Sequence, residues 1–241
     1  MTGQLFARKV GAIAIAAGGI LYASWFVQWV VPTNLSAMSS YISELSASNQ
    51  PHHLVFRATD LAAGMLLIVG STAALLSTIR SRWAVTGWVS LLLFGASTIA
   101  DSQSPLPCAA TADPHCDHLS DLGQLGWADS LHTFTSAGED LFFGLTMLSL
   151  MIVAWRIGVP IGLRRAATAI AIGIVLAWAW TLGAAAEFEL HLINGELRIN
   201  DQLGVAQRTE VSLIGVWLVL VAIGLLRSRP GQRLTVPDSI N

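Results

Sequence analysis

Six stretches of the chain, residues 10–31, 54–79, 84–101, 131–155, 166–188 and 209–226, are apolar over most of their length. As helices rising about 1.5 Å per residue, each can cross a hydrocarbon layer about 30 Å thick. Lipid offers the backbone no hydrogen-bond partners, so such a run is confined to helix. The sequence therefore predicts an all-α polytopic membrane protein, a bundle of six transmembrane helices.

Composition agrees. Hydrophobic residues make up 54% of the 241-residue chain and charged residues 12%, where a soluble domain carries roughly 25% charged residues. The longest connection, residues 102–130, is too short to fold alone without a staple, so residues 1–241 are expected to form a single membrane domain. The first run resembles a secretory signal in following Arg8 and Lys9. It is longer than the 7–15 residues of a signal core, so an uncleaved first span is expected. The chain shows no strong internal repeat, nucleotide-binding glycine motif or nucleophile elbow, and its scattered arginines form no basic patch for nucleic acid.

Charge is divided between the two sides of this bundle. Ten of the 13 basic residues (Arg8, Lys9, Arg80, Arg82, Arg156, Arg164, Arg165, Arg227, Arg229 and Arg233) fall on one set of alternate connections. The positive-inside rule places these, with both termini, in the cytoplasm of a cell-membrane protein. The opposite connections and adjoining helix ends hold all six histidines and every acidic residue except Asp238.

Both cysteines, Cys108 and Cys116, lie in the 102–130 connection. An oxidising compartment favours a disulfide between them. The competing reading is a metal site, because His115 and His118 flank Cys116 with Asp113, Asp117 and Asp121 nearby, although the spacing matches no standard zinc pattern.

Ionisable groups inside the spans carry more information, since each costs a few kcal/mol in hydrocarbon unless it meets a partner or water. His53, Arg57 and Asp60 recur at helical spacing in the second span, and the third ends in Ser97 and Asp101. His132, Ser136, Glu139 and Asp140 form one stripe of the fourth. Glu187 and His191 follow in the fifth, and Gln207, Arg208 and Glu210 open the sixth. Two readings follow. Arg57 with Asp60, and Arg208 with Glu187 or Glu210, are candidate structural ion pairs that fix helix register. His132, Glu139 and Asp140 have no cation in their own stripe and point to a functional polar cavity that opens outward. His52, His53, His115 and His118, taken singly, fit solvated positions.

The segment Ser43–Ala47 after the first span, the stretch Asp101–Pro107 after the third, and Gly204 with Gln207 and Arg208 before the last resemble a bacterial six-span family known as domain of unknown function 998 (DUF998). That resemblance implies a six-helix membrane protein with an outward polar end and no assigned activity. A more remote likeness is to the alkaline ceramidase-like membrane hydrolases, in which three histidines, an aspartate and a serine serve a zinc site. Asp101 and His132, with Ser97 or Ser136 and His53 or His191, match such roles in type, but the paired histidines four residues apart in that family's last helix are absent here.

Three classes of function are compatible with the sequence. In a metal-dependent hydrolase of a lipid or lipid-linked substrate, His53, His132 and His191 would hold zinc, Asp101 would orient the water, Glu139 or Asp140 would act as base, and Ser136 would join the catalytic set. A non-catalytic accessory or assembly subunit would use the acidic end to dock a membrane-protein partner. A proton- or cation-coupled carrier would relay through Asp60, Glu139, Asp140 and Glu187, but the basic-side half-helices are almost purely apolar. A bis-histidine haem site is a minor fourth.

Overall fold

A computed structural model describes residues 2–78, 81–194 and 202–227, with the backbone alone for Asp121 and residues 188–194. The described residues are helical, without strands. Six helices are long and apolar enough to cross a membrane: α1 (Thr2–Tyr22), α2 (His53–Ser77), α3 (Arg82–Gln103), α5 (Trp127–Arg156), α6 (Ile161–Asn194) and α7 (Leu203–Arg227). Short α4 (Pro114–Asp121) lies in the connection between α3 and α5. Its start follows from local chemistry: Asp113 caps the helix by accepting from the His115 amide at 2.9 Å, and Pro114 occupies the first turn, where its missing N–H costs nothing.

The first span departs from the predicted 10–31. Helix α1 begins at Thr2, where Leu5 and Phe6 already present exposed apolar surface, and it stops at Tyr22. The chain then winds into a 3-10 helix, Ser24–Trp29. Ser24 donates to Thr59 of α2, and the Trp25 indole donates to Ser212 of α7, both at 2.9 Å. These side chains tether the segment to two helices at once, and the tighter winding accommodates them.

Packing runs from neighbour to neighbour in the order α5, α3, α2, α1, α7, α6, and the two ends of this arc, α5 and α6, meet only loosely. Small residues permit the closest approaches. A Cβ on Gly64 of α2 would lie 2.6 Å from the Gly95 carbonyl of α3, and one on Gly19 of α1 would lie 3.0 Å from the Gly215 carbonyl of α7. Backbones in contact at this range maximise dispersion between helices in lipid, where hydrophobic burial supplies little drive. In the centre, edge-on and tilted ring contacts link Tyr22, Phe94, Phe143, Trp178 and Trp217. Phe94 and Phe143 are wholly buried, as is nearly all of Trp217.

Candidate functional site

At the acidic end, the connection between α1 and α2 folds back over the bundle instead of standing free. Ile42 N–H donates to Gln207 Oε1 at 2.8 Å, Val205 N–H donates to the Met38 carbonyl at 3.1 Å, and Ser48 N–H donates to the Leu106 carbonyl at 2.9 Å. Arg208, nearly buried, donates through Nη1 to the Ser40 and Gly204 carbonyls and through Nη2 to Gln28 Oε1. Glu44, in a short 3-10 turn (Ser43–Ser46), is 1% exposed. Its carboxylate accepts from the amides of Tyr41 and Thr111 and from the Thr111 hydroxyl. A buried carboxylate survives when its oxygens are hydrogen-bonded in this way. Gly204 is required here by space: a Cβ would stand 2.7 Å from the Ala37 carbonyl.

Thr111 lies in the connection closed by the disulfide Cys108–Cys116, whose Cα atoms are 6.0 Å apart. That bond consumes both thiols, so the alternative metal reading of this loop loses its sulfur ligands.

Beneath this lid is a cavity of about 450 Å³ whose lining includes the side chains of Asp60, Asp101, Glu139, Asp140 and Glu210. Among the described residues that line it, none is Lys, Arg or His. Tyr22 of α1 donates to Glu139 Oε2 at 2.9 Å, and Thr181 of α6 donates to Glu210 Oε2 at 2.8 Å. Asp101 Oδ1 accepts from Thr135 at 2.7 Å and from Ser136 at 3.1 Å. The same oxygen lies 3.1 Å from His132 Nδ1, which is also 3.1 Å from the Ser104 carbonyl. Both neighbours of Nδ1 are acceptors, which assigns its proton to that nitrogen.

The cavity has an apolar floor and an open side. Tyr22 and Trp178, two members of the central chain of rings, line it, and Phe94 and Phe143 pack against them. Leu141 of α5 and Leu182 of α6 line it while being 59% and 71% exposed on the outer surface. Both therefore belong at once to the cavity wall and to the lipid-facing side, and the cavity opens sideways along the loose α5–α6 seam.

Set against the sequence-based expectations, Asp60, Asp101, Ser136, Glu139, Asp140 and Glu210 share one chamber. His132 stands behind the wall, against Asp101. His53 is not among the lining residues: its Nδ1 lies 2.9 Å from the Gln50 carbonyl at the start of α2. The His191 side chain falls outside the described residues, and Glu187 is not in the chamber wall. Among the described residues no group of three His, Cys, Asp or Glu side chains is arranged to hold a metal ion.

The expected pairing of Arg57 with Asp60 does not form. Arg57 donates instead through Nε to the Ser102 carbonyl at 2.9 Å, in the last turn of α3, where unpaired carbonyls and the helix dipole attract a cation. Arg208 likewise serves lid carbonyls and an amide oxygen rather than Glu210. Tyr22, Thr98, Trp178 and Thr181 join the chamber wall beyond the residues that the sequence pattern picks out, Gln207 joins it from the start of the sixth span, and Glu44 anchors the lid.

The three stretches that carry the DUF998 resemblance meet at this end: Ser43–Ala47 contributes Glu44, Asp101–Pro107 contributes Asp101 and the Leu106 carbonyl, and Gly204, Gln207 and Arg208 hold the lid. Comparison with known proteins finds no match among curated proteins or solved structures. The family model described as "Protein of unknown function (DUF998)" matches residues 15–224, most of the chain, and the protein is therefore a member of the DUF998 family of integral membrane proteins.

Proposed function

We propose that the chamber binds the positively charged head group of a membrane-dissolved amphiphile at the non-cytoplasmic leaflet, and that Asp101, Ser136, Glu139 and Asp140 serve hydrolysis of a bond next to it, one carboxylate taking a proton from the attacking water, whose OH joins one fragment, and a protonated carboxyl giving a proton to the departing one. One observation carries the reading: among the described residues, five carboxylates and no basic side chain line a single cavity of about 450 Å³. Carboxylates crowded together repel one another in a low-dielectric site, and a cation relieves that repulsion. The sideways opening at Leu141 and Leu182 supports entry from lipid, and the aromatic floor argues against passage through to the other side.

In this reading Ser136 already donates its proton toward Asp101, while His132 holds that carboxylate in place and stabilises its charge. Orientation with the chamber outside the cytoplasm rests on the arginines of the opposite end. Zinc at His53, His132 and His191 is a second proposal. It is supported by the Asp101–His132 contact, the arrangement by which a carboxylate orients a metal-bound imidazole.

The experiment is calorimetric titration of the purified protein with hexylamine, with hexanol as the uncharged control. Hexylammonium is expected to bind and hexanol to bind at least tenfold more weakly. Asp140→Asn with Glu210→Gln should cut amine affinity by about tenfold or more, as for loss of charge-assisted hydrogen bonds. Equal binding of amine and alcohol contradicts the proposal. Stoichiometric zinc in the purified protein, lost in His132→Ala, would favour the metal-dependent route instead.

A further inference from the structure

A second cavity, of about 120 Å³, lies at the opposite, basic end of the bundle. Its walls come from α1, α3, α5, α6 and α7, and apolar side chains dominate: Leu150, Ala154, Ala167 and Val221 among them. Two guanidinium groups, those of Arg8 and Arg164, line the same space. Arg8 is 7% exposed, deep for a charged residue in a helix that crosses lipid. Arg164 stacks on the Trp155 ring at 4.1 Å, and its buried Nε has no hydrogen-bond acceptor.

We propose that this cavity is a binding site for an anionic phospholipid, with the phosphate at Arg8 and Arg164 and part of one acyl chain between α5 and α6. Charge complementarity selects the head group: two arginines lining an otherwise apolar space call for an anion with an apolar body. The loose α5–α6 seam supplies the way in, because both helices line the cavity and barely touch each other. Space is sufficient for a few chain carbons, since an apolar protein cavity of about 150 Å³ holds a benzene molecule. The end of the bundle also suits the ligand. Arg8, Arg164 and the α2–α3 and α5–α6 turns lie on the side that carries the basic residues, where the surface charge of a cytoplasmic leaflet is negative.

The test counts retained lipid by native mass spectrometry. Protein purified in non-ionic detergent is titrated with phosphatidylglycerol and with phosphatidylcholine of matched chains. The expected result is one phosphatidylglycerol per chain, bound at least tenfold more tightly than phosphatidylcholine. Arg164→Gln should abolish the preference, and Ala167→Trp, which fills the cavity, should abolish retention of both lipids. Should Ala167→Trp fail to fold, Arg8→Gln takes its place, with loss of the preference expected again. Equal retention of the two lipids, a preference that survives Arg164→Gln, or competition by glycerol 1-phosphate as strong as that of the intact lipid overturns the proposal.

Discussion

The Tyr22 hydroxyl donates to Glu139 Oε2 at 2.9 Å, joining α1 to α5 where the polar chamber meets its aromatic floor. The Tyr22 ring packs edge-on against Phe94, 5.0 Å between centroids, so one side chain both seals the floor and supplies a donor to a carboxylate within the bundle. Removing only the hydroxyl, in Tyr22→Phe, keeps the packing and leaves Glu139 without this partner. The expected cost is about 1–3 kcal/mol of stability. Unfolding in mixed micelles measures it, and an unchanged midpoint would show that the bond does not hold the two helices.

The lid depends on Glu44. Its carboxylate accepts from the Tyr41 amide and from the amide and hydroxyl of Thr111, 67 residues further along the chain, and Glu44→Ala would remove that shared acceptor. A loss of about 3 kcal/mol is expected, with new protease cleavage between residues 104 and 113. Asp129→Asn, in the first turn of α5, removes a half-buried charge that favours the helix N-terminus and should cost no more than about 1 kcal/mol.

Reduction of Cys108–Cys116, or Cys108→Ser, opens a short ring that braces the segment carrying Thr111. The chain-entropy estimate puts the loss near 2.5 kcal/mol. Thermal melts with and without dithiothreitol check this. Because Thr111 is a partner of Glu44, reduction in a Glu44→Ala background should cost less than in the parent.

Two glycines separate packing from propensity. Gly64→Ala drives a methyl against the Gly95 backbone, and a loss of about 1–3 kcal/mol is expected. Gly183, on α6, has nothing within 4 Å of its would-be Cβ, so Gly183→Ala should be neutral or stabilise by up to about 1 kcal/mol. Measured helix-bundle stability of the two variants gives the contrast directly.

The six helices were legible because hydropathy over some 20 residues is a long-range average that local chemistry rarely overturns. The stripe His132, Ser136, Glu139 and Asp140 was legible for a related reason: helical periodicity places these residues together before any tertiary contact is known. Partners across elements were hidden. Arg57 and Asp60 share a helix face, yet the carbonyl that Arg57 prefers belongs to Ser102, 45 residues away. Glu44 sits in a serine-rich connection that reads as exposed, and its acceptor role depends on Thr111, brought near by the disulfide. A weak signal existed: a single carboxylate in a segment from Val30 to Phe56 with no other charged group. Tyr22 was masked by its apolar neighbours, and the end of α1 was placed too late because the tethering partners of Ser24 and Trp25 lie on other helices.

The most direct test of a shared acidic chamber that takes cations is labelling with dicyclohexylcarbodiimide, an apolar reagent that reaches carboxyl groups from lipid, followed by peptide mass mapping. The account predicts modification concentrated at Glu139, Asp140 and Glu210, suppressed by hexylamine and not by an equal concentration of hexanol. Modification confined to carboxylates outside the chamber, or modification of these three that hexylamine leaves unchanged, would contradict it.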